Sequence, residues 1–258
     1  MRQTFERAFL DSHGKVAVIT LNHDVTINAL STAMVASLNA ALDAVEGGGF
    51  RALVLTGAGR GFCSGADMKE LPERRKEGAG AVLEQLFHPL FRRFRDLPMP
   101  IVTAVNGAAV GIGMSLALMG DLTVAARSAG FLLSFTRIGL VPDGGVTFVL
   151  PRLIGLARAR EMAFLAEPLP AQRALEWGLI NRVVEDAALM EEALGLAQRL
   201  ADGPAALPLT RQLFWDGPGY EAQLAREAAA QEQAASTEDF AEGLMAFMEK
   251  REPKFVGK

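Results

Sequence analysis

The chain has 258 residues, half of them hydrophobic and 22% charged, enough apolar material for one large packed domain and too much for a disordered chain. Its 26 basic and 30 acidic residues leave a net charge of −4, so no basic face for nucleic acid is expected. One cysteine, Cys63, excludes an internal disulfide and fits a reducing compartment. Charges stand in "MRQTFERAFLDS" where an export signal needs an apolar run, so a cytoplasmic protein is expected.

In chain order, "FERAFLDS" and "KVAVITLN" (15–22) predict a hairpin turning at His13-Gly14. "NALSTAMVASLNAALDAVEGGG" predicts a helix started by Ser31 or Thr32 and ended by Gly47 to Gly49. Three buried-strand spellings follow: "ALVLTG" (52–57), "PIVTAVNG" (100–107) and "DLTVAARS" (121–128), with helical patterns between them. Strands alternating with helices imply parallel βαβ units, hence an α/β fold. Leu97 to Gly120 carries no charge over a length that would span a bilayer. It holds two prolines and four glycines and breaks at Asn106-Gly107, so it reads as buried strand, turn and buried helix, and no membrane association is expected.

"GFLLSF" (130–135) is a short strand, "AREMAFLAEPLPAQRALEWG" two helices closed by Gly178, and "LINRVVED" a last strand. From Ala187 onward the pattern is helical, with "STED" (236–239) a capping-box spelling. The organisation expected is a core over 1–195 and a helical region over 196–258.

Several signatures fail. "GIGMSL" (111–116) ends on Leu116 where a dinucleotide fingerprint needs glycine or alanine. "TGAGRGFCSG" (56–65) lacks the Gly-Lys-Ser/Thr end of a P-loop, and Ser64 lacks the preceding glycine of a nucleophile elbow. His13, His23 and His88 have no metal-ligand spacing, so no metal is expected, and Cys63 reads as a small core residue. What survives is a device used twice: a strand enters a glycine-rich turn that becomes a helix, in "LVLTGAGRGFCSGADMKEL" and "IVTAVNGAAVGIGMSLAL". Such turns free N–H groups for a ligand oxygen, or simply make tight βα connections; the residues leave both open. Asp143 in "RIGLVPDGGVTF" is equally two-sided, a turn-former between proline and glycine or the acid of a site.

"GRGFCSGADMKEL", "PIVTAVNGAAVGIGMSLAL" and "GLVPDGGV", in that order, resemble the successive signatures of the crotonase (enoyl-CoA hydratase/isomerase) superfamily. The resemblance runs from about Phe5 to the final "FMEKREPKFVGK". It implies a spiral of ββα units with a helical C-terminal trimerisation region, and a homotrimer or a hexamer of paired trimers. It also implies an acyl-CoA thioester substrate, with coenzyme A part of that substrate and no separate cofactor. Carried onto matching positions, the N–H groups of Ala66 and Ile112 would hold a thioester enolate. Ser64, Ala66, Asp67, Met68 and Lys69 would meet coenzyme A, and Phe87, Phe91, Ser115 and Phe135 would line the acyl end. "ERRKE" (73–77) is a solvated helix end or a charge near the phosphates; Lys254 and Phe255 reach a neighbouring subunit's ligand or form a flexible tail.

Two positions depart from the hydratases of that family, which the resemblance gives two glutamates: here they read Ser115 and Phe135. Asp143 matches a third position, where dienoyl-CoA isomerases and phenylacetate-pathway ring isomerases keep an acid. "RSAGFLLSFTRIGLVPDGG" and the "KREPKFVGK" tail are most similar to the latter. One carboxylate suits isomerisation, since one base can take a proton at one carbon and return it at another, whereas hydration uses an acid and a base around a water. Two other readings stand beside this one: Asp143 as a nucleophile forming an ester that water cleaves, and a catalytically silent binding or assembly subunit.

Overall fold

The structure is a computed structural model and describes residues 2–70, 76, 78–204, 206–215 and 219–254. Strands β1 (Arg2–Thr4), β2 (Ala8–His13) and β3 (Val16–Leu21) form an antiparallel meander. Helix α1 (Thr32–Gly47) follows, its first turn capped by Ser31, whose Oγ accepts the Met34 N–H at 3.1 Å. The chain then does the same thing three times. Strand β4 (Ala52–Gly57) is followed by β5 (Gly61–Cys63), β6 (Ile101–Val105) by β7 (Ala108–Val110), and β8 (Leu122–Ala126) by β9 (Gly130–Leu132).

The first strand of each pair joins a seven-stranded sheet ordered β1-β2-β3-β4-β6-β8-β11, and the second joins a four-stranded sheet ordered β10-β9-β7-β5. Neighbours among β3, β4, β6 and β8, and among β5, β7 and β9, run parallel. This alternation is the expected spiral. "PIVTAVNG" holds β6, and the Asn106-Gly107 break at its end passes the chain to β7 in the other sheet. The small sheet closes with β10 (Leu169–Pro170), antiparallel to β9, and the large one with β11 (Arg182–Val184), parallel to β8.

Helix α2 covers residues 79–96, with a π-helical turn at Leu83–Phe87 between Ala79–Val82 and His88–Asp96. Helix α3 (Ile112–Ala117) is buried along its whole length, and every residue of β6 is buried too. Each fully buried Val, Ile or Leu contributes about 1.5–3 kcal/mol, so the apolar run from Leu97 is the centre of the molecule. Among the described residues no helix is long and apolar enough to cross a membrane.

Helix α4 (Val146–Leu165) is interrupted at Gly155, and α5 (Ala171–Trp177) ends on Gly178 as expected. Helix α6 (Leu189–Ala201) packs on β4, β6 and β8 of the large sheet. The expected 195/196 boundary lies within this helix. Then follow α7 (Ala206–Trp215), α8 (Tyr220–Ala235) and α9 (Glu238–Glu249). The cap of α9 is Thr237, one residue later than the capping-box spelling suggests: its Oγ1 accepts the Phe240 N–H at 3.0 Å. Helix α7 is anchored by buried Arg211, which donates to Asp121 Oδ2 at 2.7 Å and to the carbonyls of Phe94 and Leu97.

Candidate active site

Both glycine-rich turns open on one apolar cavity of about 340 Å³. Buried Asn28 holds the turn that leads into β5, donating from Nδ2 to the Ala58 and Gly61 carbonyls, both at 2.9 Å, and after β5 Leu30 forms a bridge with Ala66. The turn after β7 enters α3 through Gly111, so Ile112 is the first helical residue and its N–H has no turn behind it to bond. Among the described residues neither the Ala66 nor the Ile112 N–H has a hydrogen-bond acceptor. Gly113 makes this convergence possible: a β-carbon there would meet the Cys63 carbonyl oxygen at 2.4 Å, so only glycine lets the start of α3 lie against the end of β5. Ala66 and Ile112 both line this cavity, and two N–H groups without an internal acceptor are what a receptor for an oxygen gaining negative charge would use.

Asp143, 5% exposed, lines the same cavity. Its turn is made by the two glycines after it, Gly144 and Gly145, at φ 65° and 79°. At Gly144 a β-carbon would press on Ser115 and Phe91. The aspartate's main chain serves the turn, its carbonyl accepting the Ser115 hydroxyl at 2.8 Å and the Val146 N–H at 3.4 Å. Its side chain serves the cavity: Oδ2 accepts from Gln231 Nε2 at 3.1 Å. Among the described lining residues Asp143 is the one carboxylate. Arg137 also lines the cavity, but its guanidinium is bonded to the Ala166 carbonyl.

Of the residues expected at the site, Ser64, Ala66, Met68, Phe87, Ile112, Phe135 and Asp143 line the cavity. Ser115 and Phe91 do not. Ser115 is buried behind the wall with its hydroxyl on the Asp143 carbonyl, and Phe91, one turn beyond Phe87, points into the core. Asp67 and Lys69 lie outside it, and the Lys69 N–H donates to Asp67 Oδ1 at 2.9 Å, a local turn. Of "ERRKE" only Lys76 is among the described residues. Phe255 also lies outside them, while the Lys254 N–H donates to Glu242. Cys63 is buried and its thiol is pushed up to about 12 by that burial, which fits a core residue. No group of His, Cys, Asp and Glu suited to a metal occurs among the described residues.

Sequence reasoning missed Asn28 and Gln231, which line up no motif and act through distant partners, and the lining residues Phe240 and Phe247 of α9.

A family model described as enoyl-CoA hydratase/isomerase matches residues 11–258. The chain belongs to the enoyl-CoA hydratase/isomerase family. It is 41% identical over 259 residues to the 1,2-epoxyphenylacetyl-CoA isomerase of Escherichia coli strain K12, covering 97% of this chain and 99% of the relative. It is 44% identical over 248 residues to a probable enoyl-CoA hydratase of Rhodobacter capsulatus, covering 94% and 95%. Among solved structures, an enoyl-CoA hydratase from Mycobacterium avium subsp. paratuberculosis superposes with a TM-score of 0.86 at 33% identity, covering 98% of this chain and 100% of that one. Family membership is thus common to relatives named isomerase and relatives named hydratase, and the choice between them turns on the acids of this cavity.

Proposed function

We propose that this member of the family is an acyl-CoA thioester isomerase that works through an enolate with one acid/base, Asp143. The observation that carries the reading is the single carboxylate among the described residues of the cavity. In this mechanism the Asp143 carboxylate takes a proton from the carbon beside the thioester or from the vinylogous carbon. The C–H electron pair moves onto the thioester oxygen, where the Ala66 and Ile112 N–H groups receive the charge; one such donor is worth about 10²–10³ in rate. Protonated Asp143 then returns the proton at the other carbon, and no atoms are gained or lost.

The two positions where the resemblance places hydratase glutamates support this choice. Phe135 makes one corner of the cavity apolar, and Ser115 is turned away to a carbonyl. The name of the E. coli relative supports a ring-epoxide substrate as one form of the activity. On this reading coenzyme A arrives as part of the substrate, against Ser64, Ala66, Asp67, Met68 and Lys69, and the enzyme needs no separate cofactor.

We also infer a trimer, or a hexamer of paired trimers. Phe164 and Leu165 on α4, Phe214 on α7, and Met245 and Met248 on α9 stand exposed, more apolar surface than a monomer ordinarily leaves in water. Light scattering that gave a monomer at micromolar concentration would overturn this. The inert, reduced Cys63 fits a cytoplasmic setting.

The deciding experiment offers the protein a panel of linear enoyl, dienoyl and aromatic-ring-derived acyl-CoA thioesters and follows product mass. Isomerisation leaves the mass unchanged. A gain of one water without isomerisation makes the protein a hydratase. Label from heavy-oxygen water entering Asp143 makes that residue a nucleophile. Thioester binding without turnover leaves a silent subunit.

A further inference from the structure

Gln231 is a buried side chain (3% exposed) on α8, 88 positions beyond Asp143, and both ends of its amide are used. Its Oε1 accepts the Val141 N–H at 3.2 Å, and its Nε2 donates to Asp143 Oδ2 at 3.1 Å. These two partners fix which way the amide faces. A main-chain N–H can only donate, so it must meet the oxygen, and the NH₂ end is left facing the carboxylate. The amide therefore spans the acid loop two residues apart. The next residue, Glu232, holds a different wall, accepting the Gly80 N–H at the start of α2 at 3.1 Å. One turn of α8 thus ties together the loop that carries the acid and the helix that carries Val82, Leu83 and Phe87 of the cavity.

We propose that Gln231 is a positioning residue that keeps Asp143 Oδ2 as a permanent acceptor and so holds the carboxylate in the one rotamer that both half-reactions use. The inference rests on the reading of Asp143 as acid/base. A carboxylate with no fixed donor is free to rotate and to take the proton on either oxygen. With Oδ2 facing an N–H that cannot accept, protonation there would set two donors against each other. The carboxylate accordingly keeps one rotamer while it takes the proton and while it returns it.

The test uses the full-length protein and exchange of the C2 hydrogens of phenylacetyl-CoA in heavy water, a readout of enolate formation that needs no completed isomerisation. Gln231→Met keeps the length and the burial but removes both hydrogen bonds. Its exchange kcat should fall about 10–100-fold while KM stays within about threefold, the signature of a group acting in the transition state rather than in binding. If Gln231→Met does not fold by circular dichroism, Gln231→Asn takes its place: the amide is retained but one methylene too short to span both partners. A strap with a purely structural role predicts the opposite split, with kcat kept and melting temperature and KM altered. Asp143→Asn is run alongside. If wild type gives no exchange, or Asp143→Asn gives full exchange, the reading of Asp143 fails and this inference with it. If Asp143→Asn is inactive but the Gln231 variant stays within twofold of wild-type kcat, the inference alone is overturned.

Discussion

The two walls of the cavity are made by different means. On one side the proposed chemistry belongs to the main chain: the N–H of Ala66, after β5, and the N–H of Ile112, at the first residue of α3, in a stretch where Gly113 lies on Cys63. On the other side it belongs to side chains: a carboxylate on a glycine turn, backed by Ser115 from α3 and by Gln231 from the C-terminal helices. The first wall tolerates side-chain change and is sensitive to backbone shifts. The second is the reverse. On the proposed reading, change confined to the side-chain wall would alter where protons go and leave the oxygen receptor as it is.

The largest expected effect removes the side-chain wall and spares the main-chain one. Asp143→Asn should lower kcat by about 10²–10⁴, with thioester affinity and fold nearly intact, because asparagine fits the turn but takes no proton. Retention of more than about a tenth of wild-type kcat would return Asp143 to the status of a turn residue. Gly113→Ala attacks the other wall. Its methyl group meets the Cys63 carbonyl, so α3 must move and take the Ile112 N–H with it. Loss of about 10² in kcat is expected, together with about 1–3 kcal/mol of stability. Unchanged turnover would mean that the two N–H groups do not act together.

The third effect lies behind the walls. His88 on α2 is fully buried, neither ring nitrogen has a hydrogen-bond partner among the described residues, and burial lowers its pKa from 6.5 to about 4. The fold therefore holds it neutral. Below about pH 6.5 the unfolded chain takes up a proton that the native state refuses, so stability is full above that pH. It declines as the pH falls toward 4, by on the order of 3 kcal/mol. Denaturant melts of wild type and His88→Leu between pH 7 and 4.5 check this: the substitution should flatten the slope, and parallel curves would refute it. The smallest effect is Ser115→Ala. Losing the bond to the Asp143 carbonyl should cost about 1 kcal/mol of stability and reduce kcat severalfold, through the position of the acid. A loss as deep as that of Asp143→Asn would make Ser115 a participant.

Much of the main-chain wall was legible in the sequence, because its parts are local. Strand β4 runs over the same residues as its spelling, Ser31 caps α1, and the turns at 64–66 and 111–112 stand where glycine, strand and helix patterns meet. The side-chain wall was legible only as Asp143. Gln231 lies in a helix of ordinary alanine and glutamine spelling, and its partner is 88 residues away, so nothing near it marks a function. Ser115 and Phe91 were placed on the correct helices but one layer too close to the cavity, since a helix face gives direction and not depth. β1 was missed because its three residues are exposed and carry no alternation.

The tie between Gln231 and the acid loop also has a consequence in time. The main-chain wall is complete only once β9 is made, since the Gly111 N–H donates to the Leu132 carbonyl at 2.8 Å, whereas the acid loop is not tied until Gln231 of α8 has been made, 88 residues after Asp143. At about 5–20 residues per second that is an interval of roughly 4–18 s in which, on the proposed reading, a growing chain has its oxygen receptor and an untied acid loop. The nascent protein should therefore acquire the capacity to bind a thioester before the capacity to turn it over, a lag that synchronised cell-free synthesis would reveal.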